Sequence, residues 1–226
     1  MTQQDAWKQQ AANAAAQLVE NGMIIGLGTG TTANFLITAL AQRVREGLHI
    51  VGAISSSIAS RDLAASLGIP ITDLDTYPEL DLYIDGADEI DPQLQLIKGA
   101  GGALLREKVV ATASRRFVVI ADITKQVPQL GHIFPIPVET VPFALAPVRK
   151  QLERLGATVQ LRQRAGITFV TENQNIILDC TFPNGIANPV ELDARLHSVV
   201  GVVETGLFLN IAQQAIIGGP DGVHTI

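Results

Sequence analysis

Residues 80 to 108 read LDLYIDGADEIDPQLQLIKGAGGALLREK, which places Asp85, Asp88, Glu89 and Asp91 close together and follows them with Lys98, a glycine cluster and Glu107. Carboxylates relay hydroxyl protons. A lysine beside convergent backbone N–H groups suits an oxygen that turns negative. A glutamate among apolar helix neighbours can be raised toward the pKa of a working base. The order of these residues is that of proton-transfer chemistry. Asp85 follows an apolar strand and is expected at its carboxyl end, with Gly86 and Ala87 keeping the loop compact. Two plainer readings stand beside this one: a solvated acidic turn, and a Glu107 that pairs with an Arg or Lys of its own helix. The loop does not fit a calcium hand, which needs acids at alternate positions and a glycine at the sixth, between helices.

A second stretch, GLGTGTTA at residues 26 to 33, runs from a strand through glycines into a helix and so aims free N–H groups at an anion. Gly28, Gly30 and Ala33 satisfy a dinucleotide pattern, but where an acid should hold a ribose hydroxyl the chain has Ser55, Ser56 and Ser57, and no Gly-Lys-Ser/Thr makes a P-loop. Thr29, Thr31 and Thr32 offer hydroxyls of the kind a small phosphate monoester needs. The alternative is a set of glycines that only permit tight strand–helix packing. Lys125, in ADITKQ, ends a further strand at the same sheet edge; taken alone it is a solvated lysine.

The elements that must position these residues alternate. The strands MIIGLG, IVGAIS, LDLYIDG, LQLIKG and RFVVIAD are joined by helical segments, the pattern of a parallel sheet with ligands at the carboxyl ends of its strands. After Lys125 the proline-punctuated segment breaks the rhythm. The order then becomes PIPVETV, a helix, ATVQLRQ, ITFVTE, NIILDCTF, a helix and GVVETGLF, close to a split β-α-β-β-α-β motif. The expected class is α/β: a Rossmann-like parallel sheet domain (residues 1–130 and 206–226) with an inserted ferredoxin-like α+β domain (131–205).

With 226 residues the chain can bury a substantial core, and its 47% hydrophobic content is broken by charge, Gly or Pro before any membrane-spanning length is reached. The N-terminal segment reads as a helix behind a Thr2/Asp5 cap, not a signal peptide. The single Cys180 excludes an intrachain disulfide, fits a reducing cytoplasm, and lies in an apolar run that suits a buried inert thiol. A net charge of −6 without a basic block argues against nucleic acid. No His/Cys/Asp spacing makes a zinc site. His132 and Arg149 have no partner motif and read as structural or surface residues.

In this order GLGTGTTA, SSSIAS, YIDGADEID, KGAGGALLREK and ADITKQ, with the split insertion after them, resemble the type A ribose-5-phosphate isomerases over nearly the whole chain. That resemblance implies a metal-free and cofactor-free interconversion of ribose 5-phosphate and ribulose 5-phosphate through an enediolate, by a cytoplasmic homo-oligomer, a dimer or tetramer. It implies Glu107 as catalytic base, Asp85 and Asp88 as groups that engage sugar hydroxyls, and Lys98 at the developing charge. It also implies substrate contacts at Thr29, Gly30, Thr31 and Thr32, at Asp85, Gly86, Ala87 and Asp88, at Lys98, Gly99, Ala100 and Gly101, and at Lys125. Lys8 is a further candidate for phosphate. Ala100 stands where many relatives carry glycine, so a positive φ there would strain the loop.

Two other classes compete. A sugar-phosphate sensor of the kind attached to repressors needs a helix-turn-helix ahead of the first strand, where a single helix is expected. An amino-sugar phosphate deaminase or CoA transferase of the same broad fold is separated by substrate assay.

Overall fold

The computed structural model describes residues 2–183 and 185–226. In chain order it begins with α1 (Gln3–Ala16), β1 (Ile24–Leu27), α2 (Thr31–Arg45), β2 (Gly52–Ser55), α3 (Ile58–Ser66) and β3 (Leu82–Asp85). Next come β4 (Glu89–Ile90), β5 (Leu96–Ile97), α4 (Leu104–Thr112), β6 (Phe117–Asp122), β7 (Ile136–Thr140), α5 (Leu145–Arg154) and β8 (Thr158–Leu161). The remainder is β9 (Gln163–Arg164), β10 (Ile167–Thr168), β11 (Ile176–Thr181), α6 (Pro189–His197), β12 (Val202–Thr205), β13 (Leu207–Phe208), β14 (Gln214–Gly219) and β15 (Gly222–Thr225). These elements fall into two units. One takes the chain up to Ala87, Arg106–Lys125 and Asn210–Ile226; the other takes Asp88–Leu105 and Gln126–Leu209. The second unit thus includes residues 88–105, 126–130 and 206–209, which the sequence boundaries assigned to the first.

The first unit is an α/β sheet of six strands in the order β15-β14-β6-β3-β1-β2, parallel throughout except for the edge pair β14–β15. Its inner strands are apolar on both faces because helices cover them. α2 buries Ala33, Leu36, Ile37, Leu40 and Ala41, a stripe at i, i+3, i+4, i+7 and i+8. Leu36, Ile37, Leu40 and Ala41 of that stripe join Ile25, Leu27, Ile84, Val118 and Ile120 in one core, each large aliphatic side chain contributing roughly 1.5–3 kcal/mol of burial. α1 starts with the expected cap: the Asp5 N–H donates to Thr2 Oγ1 at 3.1 Å and the Thr2 N–H donates to Asp5 Oδ2 at 3.0 Å. Its buried face is all alanine, at positions 11, 12, 15 and 16. Nothing bulky therefore holds this helix off the sheet, and a Cβ at Gly218 of β14 would fall 2.0 Å from the Trp7 carbonyl oxygen.

The second unit contains a four-stranded antiparallel sheet in the order β12-β7-β11-β8. Numbered within the motif this is 4-1-3-2, the arrangement of a ferredoxin-like β-α-β-β-α-β unit. Val148 and Leu152 of α5 and Leu196 of α6 pack on Ile136, Val138, Leu178 and Cys180. Burial pushes the Cys180 thiol up to about 12, as an inert core thiol should be.

Three expectations about strands are corrected. LQLIKG does not enter the parallel sheet; β5 lies antiparallel between β4 and β13 in a separate three-stranded sheet. The reason is local: Asp91 Oδ1 accepts the N–H groups of Gln93 and Gln95, each at 2.9 Å, and closes a turn that folds β5 back on β4. ITFVTE supplies only β10, paired with β9 in a small hairpin outside the four-stranded sheet. GVVETGLF is two strands, β12 and β13, divided at Gly206. There the Gly206 N–H donates to Pro137 O at 2.7 Å and its carbonyl accepts the Lys98 N–H at 2.9 Å. A Cβ at Gly206 would lie 2.4 Å from Lys98 O.

Candidate active site

In the first unit Asp85 is the last residue of β3 and is fully buried. Its Oδ1 accepts the Thr29 N–H at 2.9 Å and the Gly86 N–H at 2.7 Å, while its Oδ2 accepts the Tyr83 hydroxyl at 2.5 Å. Tyr83 precedes Asp85 by two residues on the same strand face and stacks on Phe117 with ring centroids 4.9 Å apart. Its phenol is held well above its ordinary pKa, first by burial and then by the charges of Asp85 and Glu107, so it remains a donor. Glu107 lies in the first turn of α4 and is 3% exposed. That burial removes the reading of Glu107 as a surface residue.

The loop ahead of α2 is organised from beneath. Thr29 is tied through its N–H to Asp85 and through its hydroxyl to Ser56 Oγ at 2.8 Å. Gly30, at φ 96°, caps α2 in a conformation that favours glycine. Thr31 and Thr32 then open the helix, Thr31 exposed, and Lys8 of α1 brings its ammonium to 3.4 Å from Thr31 Oγ1. A cation, a hydroxyl and a helix N-terminus thus meet at one point, the composition of a phosphate site. Lys125 ends the 3-10 turn Ile123–Lys125 that follows β6. The turn is held by Asp122, whose Oδ1 accepts the Thr124 N–H at 3.0 Å and whose Oδ2 accepts Gln4 Nε2 at 3.2 Å.

In the second unit Asp88 is half-buried and its Oδ2 accepts the Ala100 N–H at 2.9 Å. Lys98 is 3% exposed and its ammonium stands 5.3 Å from the centroid of the Phe208 ring. The turn after it places positive φ at Gly99 (104°) and Gly102 (86°), where only glycine is at ease. Ala100 is not a positive-φ residue, so its Cβ does not strain the loop. Gly101 lies exposed in that turn, whereas Gly86 and Ala87 of the first unit are partly covered and in no regular element.

The acidic cluster has a second meaning that sequence reasoning missed. Each of its four carboxylates accepts backbone N–H groups: Asp85 from Thr29 and Gly86, Asp88 from Ala100, and Asp91 from Gln93 and Gln95. Glu89, fully buried, takes those of Gly131, Ile133 and Phe134 at 2.6–2.7 Å. These acids staple loops that carry no regular hydrogen bonding of their own. Tyr83, Ser56 and Asp122 were also missed, although the i, i+2 spacing of Tyr83 and Asp85 on one strand was a usable signal. Among the described residues, no group of three or more His, Cys, Asp or Glu is placed to hold a metal ion, and no helix is long and apolar enough to cross a membrane.

The family profile described as ribose 5-phosphate isomerase A (phosphoriboisomerase A) matches residues 52–222. A ribose-5-phosphate isomerase A of Synechococcus sp. (strain JA-3-3Ab) is 50% identical over 229 residues, covering 100% of this chain and 99% of that protein. One from Roseiflexus sp. (strain RS-1) is 51% identical over 219 residues, covering 96% and 94%. Among solved structures, ribose 5-phosphate isomerase A of Methanocaldococcus jannaschii superposes with a TM-score of 0.93 at 37% identity, covering 98% of each chain. A D-ribose-5-phosphate isomerase in complex with phospho-erythronic acid superposes with a TM-score of 0.96 at 34% identity, covering 100% of this chain and 99% of the other.

Proposed function

Because the chain belongs to the ribose 5-phosphate isomerase A family, whose members are aldose–ketose isomerases, we propose that it interconverts D-ribose 5-phosphate and D-ribulose 5-phosphate by metal-independent proton transfer through an enediolate. The observation that carries the mechanism is a carboxylate, Glu107, 3% exposed and placed by α4, in a unit that also holds the Lys8–Thr31 pair.

In this reading Thr31, Thr32 and Lys8 take the phosphate, with Lys125 adding charge. Glu107 removes the proton from carbon 2 of the open-chain aldose. The bonding pair moves toward carbon 1, whose oxygen becomes negative. Lys98 and the N–H groups of the glycine loop stabilise that oxygen. Glu107 returns the proton to carbon 1 as the carbon 2 hydroxyl gives its own up to the carbon 1 oxygen, which leaves a ketone at carbon 2 and a hydroxyl at carbon 1. Asp88 is the group assigned to hydroxyl protons. Asp85 is assigned a different part, since its oxygens already receive Tyr83, Thr29 and Gly86: it holds the phosphate loop in shape. Positioned acid–base catalysis supplies ~10²–10⁴-fold, so stabilisation of the oxyanion must supply much of the rest. The reading assigns no step to a metal ion, since Lys98 and the loop N–H groups supply the charge that the oxyanion needs. The same reading makes the enzyme a cytoplasmic homodimer or higher homo-oligomer of pentose phosphate metabolism; light scattering on the purified protein tests the assembly.

The reaction is to be run in deuterated water with EDTA and stopped early. Deuterium at carbon 1 of ribulose 5-phosphate, seen by NMR, is the expected result. Full retention of the original hydrogen, together with a requirement for a divalent ion, would replace the proton path by a hydride shift.

A further inference from the structure

The hairpin β9–β10 lies outside the four-stranded sheet, and its surroundings give it a task. Arg162, just ahead of it, forks onto Asp179 of β11 through Nε at 2.9 Å and through its second terminal nitrogen at 2.5 Å. Its remaining terminal nitrogen donates to Gly99 O at 2.7 Å and to Ala100 O at 3.3 Å. Arg164 donates to Gly101 O at 2.9 Å and lies 4.3 Å from the centroid of the Phe169 ring. Phe169 in turn closes the space beside Gly102, where a Cβ would fall 2.4 Å from the ring. Three successive carbonyls of the glycine loop are therefore held by two guanidinium groups. A lysine, with one point charge and no planar fork, could not make the same set of bonds.

In a trans peptide the C=O and the following N–H point in opposite directions. Fixing the Gly99 carbonyl on Arg162 sends the Ala100 N–H the other way, where it meets Asp88 Oδ2 at 2.9 Å. Fixing the Gly101 carbonyl sends the Gly102 N–H back to Gly99 O at 3.0 Å. Between these two peptides lies the one whose carbonyl is Ala100 O and whose N–H belongs to Gly101, and no acceptor within the described residues takes that N–H.

We propose that Arg162, anchored by Asp179 and assisted by Arg164, is a positioning residue that presents the Gly101 N–H to the anionic oxygen of the enediolate. The proposal deepens the isomerase reading above and rests on it. Arg162 touches no reacting atom; it acts through the loop.

The test compares wild type with Arg162→Met, Arg162→Lys and Asp179→Asn. It measures kcat and KM for ribose 5-phosphate, the dissociation constant of phospho-erythronic acid, inhibition by inorganic phosphate, thermal unfolding, and hydrogen exchange at Ala100 and Gly102. In Arg162→Met, kcat and affinity for phospho-erythronic acid should fall by up to the order of 10²-fold, the scale of a displaced catalytic group. Inhibition by inorganic phosphate should not change, and the Ala100 and Gly102 N–H groups should lose protection. Arg162→Lys should not restore kcat, and Asp179→Asn should show a smaller loss of the same kind. A folded Arg162→Met with wild-type kcat and loop protection overturns the proposal. So does a loss of kcat matched by equal loss of phosphate inhibition and thermal stability, which marks a merely structural role. If Arg162→Met does not fold, Asp179→Asn decides by the same criteria. If the wild type does not isomerise ribose 5-phosphate, the underlying reading fails and takes the assigned oxygen with it, while loop exchange still reports whether the clamp exists.

Discussion

A Cβ on Gly28 would lie 1.9 Å from Asp85 Oδ1 and 2.5 Å from Asp85 Cβ, so the first glycine of the loop is dictated by the carboxylate beneath it. Gly28→Ala cannot be absorbed by moving the tip of Asp85 alone. The expected result is a rise in KM with a loss of stability of about 1–3 kcal/mol, the usual cost of overpacking, read by steady-state kinetics and urea unfolding. An alanine variant with wild-type KM would show that the Asp85–Thr29 bond does not shape the substrate loop.

Glu107→Gln keeps the size and polarity of the side chain and removes the base. Isomerisation should fall by ~10²-fold or more while the thermal unfolding midpoint stays near that of wild type. If activity survives, carbon is deprotonated by another group.

Glu89→Gln should be mainly a stability lesion. The buried carboxylate accepts three N–H groups, and an amide can no longer accept all of them. An unfolding free energy lower by at least about 2 kcal/mol is expected, with hydrogen exchange accelerated first at Gly131, Ile133 and Phe134. Unaltered protection there would deny the staple.

His197 gives a pH test away from the candidate site. Asp193 and then Glu204, at 3.4 Å and 2.9 Å, raise its pKa from 6.5 to about 10. The folded value exceeds the unfolded one, so the contribution is full below about 6.5 and is lost as pH rises through about 10. The stability difference between wild type and His197→Gln should therefore be constant in acid, shrink between these values and level off above them. A difference that grows with pH would show that His197 is not bound as a cation.

Both layers of the fold were legible in the sequence because their signals are local. The helical stripe of α2, the Thr2/Asp5 cap and the apolar strands each occupy a single window, and their order is that of the two units. The positions of Lys98 and the two glycine loops after strands, and of Glu107 on a helix, were also legible. What escaped has partners distant in sequence or elements too short to carry a period. β5 is two residues long, and its direction is decided by the Asp91 turn. Arg162 meets Gly99 across 63 positions and Glu89 meets Gly131 across 42, so no spacing rule links them. The acids were read as proton carriers because a side chain's hydrogen-bond partners cannot be seen from its neighbours in the chain.

The order of strands in the first sheet bears on how the protein is made. β6 is completed at Asp122, but β14, its parallel neighbour, begins at Gln214, after all of 126–209. During synthesis the four-stranded sheet of the second unit has all its strands by Thr205, so it can form while the first sheet still ends in an open, apolar edge. An edge of that kind pairs readily with another chain. A nascent chain stalled between residues 126 and 213 is thus a candidate for chaperone capture, with Phe117–Asp122 as the exposed segment.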